Sequence, residues 1–434
     1  MKEKKAYQKP SFLLPNDSID LHKWAVIACD QFTSQPDYWQ KVESIVGDAP
    51  STYHMILPEA YLETPRAQEH SEKTYVFMHE YVSTGIFDEF EGFVYIERSL
   101  GEKTRRGLLL NLDLEKYDFR QGSQSLIRAT EGTILDRLPP RIKIREKAPL
   151  EIPHIMILID DREDELFSFL QTKKPNYEKL YDFDLMQNSG AIKGFLIDQE
   201  GEEKIDSVFG SLCDPQLFQK KYTLAENLPP LLFAVGDGNH SLATAKSIWD
   251  TIQNTVSADH PARYALVEVV NIHDESLVFE PIHRVLFHLE EDMLSTMKAH
   301  FKDSISIEEI PAYQTLQSKV HAASTNQVVG LINHEKYYLI KFTQPTTNLA
   351  AGTLQQFLDE HCKQHPEIGL DYVHGDDVLL ELGSQGENAG FLLPAIQKND
   401  FFRTIILDGS LPRKTFSMGD AKEKRFYLEC RKIQ

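Results

Sequence analysis

The stretch Leu231–Ser241 constrains the fold more than any other part of the chain. Five apolar residues, preceded by two prolines, predict a short buried strand that is expected to end at Gly236. A helix is expected to begin near Ser241, because apolar residues recur beyond it at helical spacing: Leu242, Ala245, Trp249 and Ile252. The sequence therefore predicts a strand, a tight glycine turn and a helix in immediate succession.

This turn carries the residue types of an anion-binding site. The first N–H groups of a helix lack intrahelical partners, and the helix macrodipole adds partial positive charge there. The candidates for holding phosphate oxygens are Gly236, Gly238, Asn239 and Ser241. Asp237 and His240, in the same turn, are candidates for the chemistry itself. An ordinary strand-to-helix connection, with Asn and Ser as turn and cap residues, explains the pattern equally well.

A second carboxylate follows another predicted strand. Trp24–Cys29 is a continuous apolar run that ends at Asp30, and a helix is expected beyond it. Because the ends of strands carry the sites in α/β folds, Asp30 is a candidate for catalysis. An aspartate at such a position also caps the next turn, and the residues by themselves favour that simpler role.

Two further segments combine cations with hydroxyl groups. Arg128 offers a bidentate fork for a phosphate or carboxylate, and the other candidates beside it are Glu131 and Thr133. Near the end of the sequence, Arg413 and Lys414 form a second candidate anion clamp. Both patterns also occur on solvated surfaces, where such cations pair with nearby carboxylates.

Charge and composition narrow the classes of function. The formal net charge is −20 over 434 residues, which argues against a general binder of nucleic acid or anionic membranes, since both need a concentrated basic surface. No run of about 18 apolar residues predicts a membrane span, and no apolar segment typical of a signal peptide follows the charged N-terminus. The four cysteines show no metal-ligand spacing, so no protein-held metal centre is predicted. We expect a cytoplasmic protein with reduced thiols and a small-molecule substrate.

The order of predicted elements indicates an α/β to α+β fold with a mixed central sheet. Residues 1–290 are expected to form the core, residues 291–365 a smaller α+β subdomain, and residues 366–434 a segment that returns to the core. Within the subdomain, Val328–Ile332 and Tyr337–Phe342 predict a hairpin. In the returning segment, the apolar run Thr404–Leu407 predicts a strand.

Taken together, these motifs resemble those of a known family. Asp237-Gly238-Asn239-His240 after an apolar strand resembles the DGHHR motif of the bacterial and archaeal proteins grouped as domain-of-unknown-function family 1015. Further motifs match in the same order along most of the chain: Asp30, Glu131-Gly132-Thr133 and Pro412-Arg413-Lys414-Thr415. By this resemblance the chain is identified as a member of the family.

The strand–DGxHR–helix signature is also similar to that of ParB/sulfiredoxin-like folds, in which the loop and helix N-terminus hold nucleotide phosphates. That superfamily includes free-serine kinases. The resemblance therefore implies a ParB/sulfiredoxin-like core and a nucleotide-dependent phosphotransferase acting on serine or a similar hydroxyl compound, with ATP or ADP and Mg²⁺ as cofactors. Ser241 stands where the motif has arginine. Positive charge at a phosphate must then come from the helix dipole or from other cations: Arg128, Arg413 and Lys414.

In the implied mechanism, Asp30 is the expected base on the acceptor hydroxyl. Asp237 could take that role or bind Mg²⁺, and His240 belongs to the same catalytic group. The alternative is a non-catalytic regulatory protein that binds a nucleotide or metabolite, which serine at position 241 favours. A DNA-binding partition-type protein conflicts with the acidic charge. No nucleic-acid or membrane partner is expected, and a homodimer is left open.

Overall fold

The structure, a computed structural model, describes residues 5–62, 64–132, 138–323 and 327–434. The chain divides into two compact units. The first consists of Met1–Leu277 together with Asp420–Gln434, and the second of Val278–Gly419. No α-helix in the described ranges combines the length and apolar character that a membrane span requires.

The unit boundaries differ from the predicted changes near residues 290 and 365. Strand Phe279–Phe287 forms hydrogen bonds with three strands that follow the predicted subdomain: Gly369–His374, Ala389–Leu392 and Phe416–Met418. Residues on both sides of the predicted boundaries therefore share one sheet. Composition does not show this division, because the paired strands are far apart in the sequence.

The strands and α-helices are numbered here in chain order. The strands are β1 (Tyr7–Gln8), β2 (Ser11–Pro15), β3 (Val26–Ile27), β4 (Phe87–Glu91), β5 (Val94–Leu100), β6 (Lys103–Asp113), β7 (Tyr117–Asp118), β8 (Ile127–Ala129), β9 (Leu150–Glu151), β10 (Met156–Ile159), β11 (Glu178–Asp184), β12 (Ala191–Leu196), β13 (Phe233–Asp237), β14 (Tyr264–Asn271), β15 (Phe279–Phe287), β16 (Ile305–Ile310), β17 (Val328–Asn333), β18 (Lys336–Phe342), β19 (Gly369–His374), β20 (Ala389–Leu392), β21 (Phe416–Met418), β22 (Phe426–Tyr427) and β23 (Arg431–Lys432). The helices are α1 (Leu21–Trp24), α2 (Pro36–Val46), α3 (Arg66–Ser83), α4 (Leu138–Arg145), α5 (Glu165–Lys173), α6 (Gln199–Leu212), α7 (Pro215–Tyr222), α8 (Asn239–Ile252), α9 (Met293–Phe301), α10 (Tyr313–His321), α11 (Ala350–Gln364), α12 (Asp376–Gly383) and α13 (Lys398–Asp408).

A ten-stranded mixed sheet, counted over the described residues, forms the centre of the first unit. Its order is β11-β12-β5-β6-β14-β10-β13-β8-β7, with β1 beside β6. The pairs β10–β14, β13–β8 and β7–β8 are parallel, and the predicted mixed α/β fold is thereby confirmed. Side chains alternate along β5, so that Val94 and Ile96 join one apolar cluster and Tyr95 joins another. Both faces of the sheet are therefore covered by core.

Three chain segments meet at one edge of this sheet. Because β8 and β13 are parallel neighbours, their carboxyl ends lie side by side, and they lead into Thr130 and Gly238. Strand β10 runs antiparallel to β13, which brings the residues just before β10, including His154, to the same edge. Carboxyl ends of parallel strands commonly carry the sites of α/β folds.

The last residues of the chain are an integral part of the first unit. Strand β22 pairs with β3, and β23 pairs with β9. Within this segment Arg425 is buried and pairs with the buried carboxylates of Glu268 and Glu429. The pairing of β22 with β3 brings Tyr427 next to Cys29, beside the edge described above.

The second unit is built on a seven-stranded sheet, as far as the described residues show. Its order is β16-β18-β17-β20-β15-β19, with β21 beside β15, and the predicted hairpin is confirmed as β17–β18. The predicted strand Thr404–Leu407 is wrong, because these residues belong to helix α13. Phe401 and Ile405 lie four residues apart on its buried face, a period that a four-residue apolar run does not reveal. Gly409 ends the helix at φ +81°.

Candidate functional site

The predicted turn is built by two glycines with different tasks. A Cβ atom at Gly236 would lie 2.9 Å from the side chain of Leu158, so the turn needs a glycine there for close packing against β10. Gly238 has φ +80°, a left-handed conformation that other residues adopt only with strain, and it precedes the first residue of α8. Gly238, at the N-cap position, supplies no side-chain hydrogen bond to the first N–H groups of this helix.

A cavity of about 180 Å³ lies against this turn in the first unit. It brings together seven of the residues predicted from the sequence: Asp30, Glu131, Asp237, Gly238, Asn239, His240 and Ser241. Five further residues line it: Cys29, Glu59, Gly132, Arg141 and His154. The roles of the predicted residues stay predictions, but the structure places these side chains around one space.

The carboxylates around the cavity have different partners. Asp237 lies 3.1 Å from the Lys424 ammonium and also accepts the Gly238 N–H at 2.8 Å. Burial by itself would raise the pKa of Asp237, but Lys424, His154 and the Gly238 N–H together hold it below its usual range. Asp237 is therefore an ionised, already paired carboxylate at neutral pH.

Glu59 and Asp30 differ in whether a cation pairs with their carboxylates. Glu59 forms a close ion pair with the guanidinium of Arg141. The half-buried Asp30 accepts a hydrogen bond of 2.9 Å from the Gln31 amide, and no cation of the described chain forms an ion pair with it. Among these carboxylates, Asp30 is thus the one suited to accept a proton from a ligand.

Asn239 presents an acceptor to the cavity. Its Nδ2 lies 3.4 Å from Thr130 Oγ1, which itself donates to the Val235 carbonyl at 2.7 Å. Because the single Thr130 proton is already used, the amide group facing it must be the donor, and this fixes the orientation of the Asn239 side chain. Asn239 Oδ1 is buried and accepts no hydrogen bond within the described part of the chain. A ligand N–H or O–H could satisfy this oxygen.

His154 connects the turn to the C-terminal segment. Its Nε2 lies 3.3 Å from Ser241 Oγ, and its Nδ1 lies 3.0 Å from the Tyr427 hydroxyl. That hydroxyl is also 3.2 Å from Cys29 Sγ. A tyrosine hydroxyl has one proton, so it donates either to the sulfur or to His154, and the proton on His154 shifts accordingly to Nδ1 or Nε2. The protons of Ser241, His154 and Tyr427 are therefore coupled.

The Cys29 thiol stays protonated in this chain of contacts. Burial, reinforced by the nearby Asp30 carboxylate, raises the pKa of Cys29 to about 12. A thiol with such a pKa is a poor nucleophile at neutral pH, because the thiolate is the reactive form. Cys29 is accordingly a wall of the cavity rather than its reactive group.

Other predicted residues are placed elsewhere. Arg128 is not among the residues that line the cavity, and its predicted phosphate contact stays a prediction. Its guanidinium donates to the carbonyls of Ser125 at 2.8 Å and Pro229 at 2.9 Å. Burial lowers its pKa to about 10, so these carbonyls compensate a desolvated cation. Gly236 lies in β13, and Thr133 falls outside the described residues.

The two C-terminal cations belong to the second unit. Arg413 forms an ion pair with Asp359, and both side chains are about half exposed. The backbone carbonyls of Arg413 and Lys414 each accept a hydrogen bond of 3.0 Å from the buried Arg284. This loop is therefore held by Arg284, and its predicted contact with a phosphate stays a prediction.

The residues that the sequence did not indicate come from distant segments. His154 stands directly before an apolar strand, Glu59 lies after a proline, and Tyr427 and Lys424 are close to the C-terminus. Arg141 was noticeable only as part of a cluster of basic residues. Nothing in their local pattern links these residues to the glycine turn, since strand pairing brings them together.

The side chains that line the cavity include oxygen ligands of the kind that Mg²⁺ prefers. Carboxylate oxygens are its preferred protein ligands, and the cavity has four such side chains: Asp30, Glu59, Glu131 and Asp237. No group of three or more His, Cys, Asp or Glu side chains in the described ranges forms a metal-binding cluster. These residues therefore fit an ion that one or two carboxylates bind and that nucleotide phosphates bind as well.

Comparison with known proteins identifies the family. The model of the family described as "Protein of unknown function (DUF1015)" matches residues 13–361, and the chain belongs to this family, as its motifs predicted. No curated protein matches the chain.

Three solved structures illustrate the likeness to other chains. A free serine kinase in complex with AMP is 12% identical over 77% of this chain and 94% of that chain, with a TM-score of 0.38. A conserved hypothetical protein from Pyrococcus furiosus is 12% identical over 77% and 98%, with a TM-score of 0.36. SbnI with a C-terminal truncation, from Staphylococcus aureus, is 9% identical over 74% and 85%, with a TM-score of 0.34. The kinase binds AMP; for the present chain, nucleotide binding is a proposal that rests on its own residues.

Proposed function

We propose that this member of the DUF1015 family is a nucleotide-dependent phosphotransferase that phosphorylates the hydroxyl group of a small molecule. The observation that carries the proposal is the 180 Å³ cavity in which Asp30 and the N-terminus of α8 share one space. Phosphoryl transfer depends mainly on positioning and charge stabilisation. In this cavity Asp30 would act on the acceptor oxygen, and the start of α8 would hold the phosphate oxygens.

The phosphates would lie against the start of α8. The N–H groups of Asn239, His240 and Ser241 are the first of that helix, and the macrodipole favours negative charge at this end. Gly238 adopts the left-handed conformation, φ +80°, with which the chain turns from β13 into α8.

Asp30 would act on the acceptor. The acceptor oxygen attacks the transferred phosphorus, the bond from phosphorus to the nucleotide oxygen breaks, and the hydroxyl proton passes to the Asp30 carboxylate. Asp237 is less suited to this step, because Lys424 already pairs with it and holds its pKa low. The structure thus supports dividing the roles: Asp30 as base, and Asp237 as a fixed charge beside the turn.

The charge around the cavity explains why a divalent cation is part of the proposal. Arg141 and Lys424 offset Glu59 and Asp237, whereas no cation of the described residues forms an ion pair with Asp30, whose carboxylate would repel a polyphosphate. Mg²⁺ bound together with the nucleotide supplies positive charge at the phosphates. Glu131 and Asp237 are among the carboxylates of the cavity that would hold it.

A product assay tests the function. Purified protein with Mg²⁺ and either ATP or ADP would be incubated with a pool of hydroxyl metabolites that includes L-serine, and phosphorylated products would be identified by mass spectrometry. We expect a product that Asp30→Asn reduces by at least about 100-fold, the typical contribution of a general base. Asp88→Asn, which changes an exposed aspartate in the same unit, is the matched control and should keep full activity.

A second candidate is a regulatory protein that binds a nucleotide without catalysis. It is favoured by Ser241 at the position of the motif arginine and by Arg128, which is engaged with backbone carbonyls. Nucleotide binding measured by calorimetry, without product from any nucleotide or acceptor, would support the regulator and reject the enzyme.

A further inference from the structure

A larger cavity, of about 610 Å³, adjoins the first within the same unit. The two share the residues Cys29, Glu59, Arg141, His154 and Ser241. The volume of the larger cavity is in the range of small-molecule sites, about 300–1,000 Å³, whereas the first cavity is smaller than that range. The first cavity can therefore hold a reacting group, and the second can hold the body of a ligand.

Aliphatic side chains form most of the wall of this larger cavity. They come from several elements and include Met55, Leu57, Met78, Ile144, Leu150 and Ile152. A wall of this kind gains free energy when an apolar group displaces water from it. Methionine adapts to the shape of such a group, because its side chain is unbranched and flexible.

The polar groups in the wall are largely committed to other partners. Thr74 Oγ1 donates to the His70 carbonyl at 3.0 Å, and Thr244 Oγ1 donates to the His240 carbonyl at 2.7 Å. Arg145 and Glu151, which also line the cavity, form an ion pair with each other. A purine base placed here would leave several ring nitrogens without side-chain partners, which disfavours its burial.

We propose that the larger cavity binds the hydrocarbon part of the acceptor, and that the acceptor hydroxyl extends from it into the smaller cavity beside Asp30. The substrate class is then a primary alcohol with an aliphatic chain of several carbons, rather than a compact polar alcohol such as serine. The direction of the hydroxyl rests on the proposed phosphotransferase function, whereas the binding of the hydrocarbon part does not.

Ser241 is important to this arrangement. Its hydroxyl lies 3.3 Å from His154 Nε2, and both residues belong to the wall that the two cavities share. An arginine at this position, as in the family motif, would carry a long charged side chain into that shared region. Serine is short and hydrogen-bonded to His154, so it occupies less of the shared region than an arginine would.

Binding of unbranched primary alcohols tests the proposal without requiring turnover. Dissociation constants of 1-propanol, 1-pentanol and 1-heptanol for the full chain would be measured by calorimetry or ligand-observed NMR. We expect affinity to rise by about 4-fold for each added methylene, the value for transfer of a CH₂ group out of water. L-serine should not compete with 1-heptanol for the larger cavity, and adenosine should not displace it.

Two substitutions locate the binding. Ile144→Trp and Ile152→Trp fill the cavity from different elements, and each is expected to abolish the dependence of affinity on chain length. Ile142→Trp is the matched control, because Ile142 is a half-buried isoleucine of the same helix, α4, that does not line the cavity. Circular dichroism would show that each variant is folded, and the second filling variant serves if the first is not.

Either of two results with the unchanged protein would overturn the proposal. The first is an affinity that does not depend on chain length. The second is displacement of 1-heptanol by adenosine, which would show that the cavity binds the base of the nucleotide. Chain-length dependence that persists in both filling variants would likewise place the alcohol elsewhere. If the alcohols bind as expected and no nucleotide phosphorylates them, the phosphotransferase fails while the assignment of the cavity stands.

Discussion

Replacing Arg425 by methionine tests whether a buried ion network stabilises the first unit. Arg425 Nε lies 2.8 Å from Glu268 Oε2, and its Nη2 lies 2.8 Å from Glu429 Oε2. The side chains of these three residues are at most 2% exposed. Arg425 Nη1 also donates to the Pro153 carbonyl at 2.7 Å, directly before His154. One guanidinium therefore pairs with two carboxylates and holds the chain next to the candidate site through the Pro153 carbonyl.

The expected loss follows from what the substitution leaves behind. Methionine retains much of the buried volume, but Arg105, at 3.4 Å, would be the one ion-pair partner left to Glu268 among the described residues. Glu429 would keep the Tyr181 hydroxyl at 2.7 Å. Removing one partner of a buried ion pair costs about 3–5 kcal/mol, and we expect a loss of that size in the free energy of unfolding.

The loss should depend on pH. Burial would raise the pKa of Glu268, but Arg105 and Arg425 together hold it below its usual value. A carboxylate whose pKa is lowered in the folded state contributes stability above its unfolded pKa, and this contribution is lost as the pH falls through the folded value. Because Arg425→Met removes part of that contribution, its deficit should be largest at neutral pH and should narrow as the pH falls below about 4.5, the ordinary glutamate value.

Urea denaturation followed by tryptophan emission provides the measurement. The only tryptophans of the sequence, Trp24, Trp39 and Trp249, all belong to the first unit, so their emission reports the unfolding of that unit. Arg66→Met is the matched control, because the Arg66–Glu43 pair in the same unit is 60% and 49% exposed. Surface pairs contribute at most about 1 kcal/mol, and a similar loss in Arg425→Met would refute the reasoning.

Three further predictions concern the candidate site. Gly238→Ala should lower the free energy of unfolding by about 1–3 kcal/mol in urea denaturation, because alanine is strained at φ +80° and its Cβ would lie 3.0 Å from Ile155; an unchanged midpoint would contradict the need for glycine. Lys424→Met should raise the pKa of Asp237 and destabilise the chain at pH 7 more than at pH 4, as denaturation at both values would show; an equal deficit at both would rule out this pairing. Cys29 should react slowly with iodoacetamide at pH 8 in the folded chain and rapidly in urea, as measured by mass spectrometry of the modified peptide, and equal rates would show that its thiol is not held protonated.

The local part of the site could be predicted from the sequence, because its information is contiguous. The run from Phe233 to Ile252 contains the strand, the glycine turn and the apolar spacing of the helix, and the structure shows these elements in that order. Hydrophobic periodicity and glycine placement act over a few residues, so a short stretch of sequence contains all the information that determines these elements. The same reasoning failed for Thr404–Leu407, where four apolar residues are too few to separate a strand from a buried helix face.

The rest of the site depends on pairings between distant segments. His154 reaches Ser241 because β10 pairs with β13, and Tyr427 reaches Cys29 because β22 pairs with β3. These registers follow from the packing of the whole sheet, and no local pattern in the sequence records them. The unit boundary at Leu277 escaped prediction for the same reason, since β15 has the composition of an ordinary strand in either unit.

Arg128 shows why the type of a residue does not settle its role. An arginine that binds a ligand and an arginine that binds its own backbone have the same sequence signature, since a guanidinium recognises any suitably placed oxygens. Here the oxygens are the carbonyls of Ser125 and Pro229, whose hydrogen bonds with Arg128 compensate for the burial of its guanidinium. With Arg128 engaged in this way, positive charge at the phosphates in the proposed reaction would come from the start of α8 and from Mg²⁺ bound with the nucleotide. The proposed enzyme should therefore depend on Mg²⁺ more strongly than a relative with arginine at position 241.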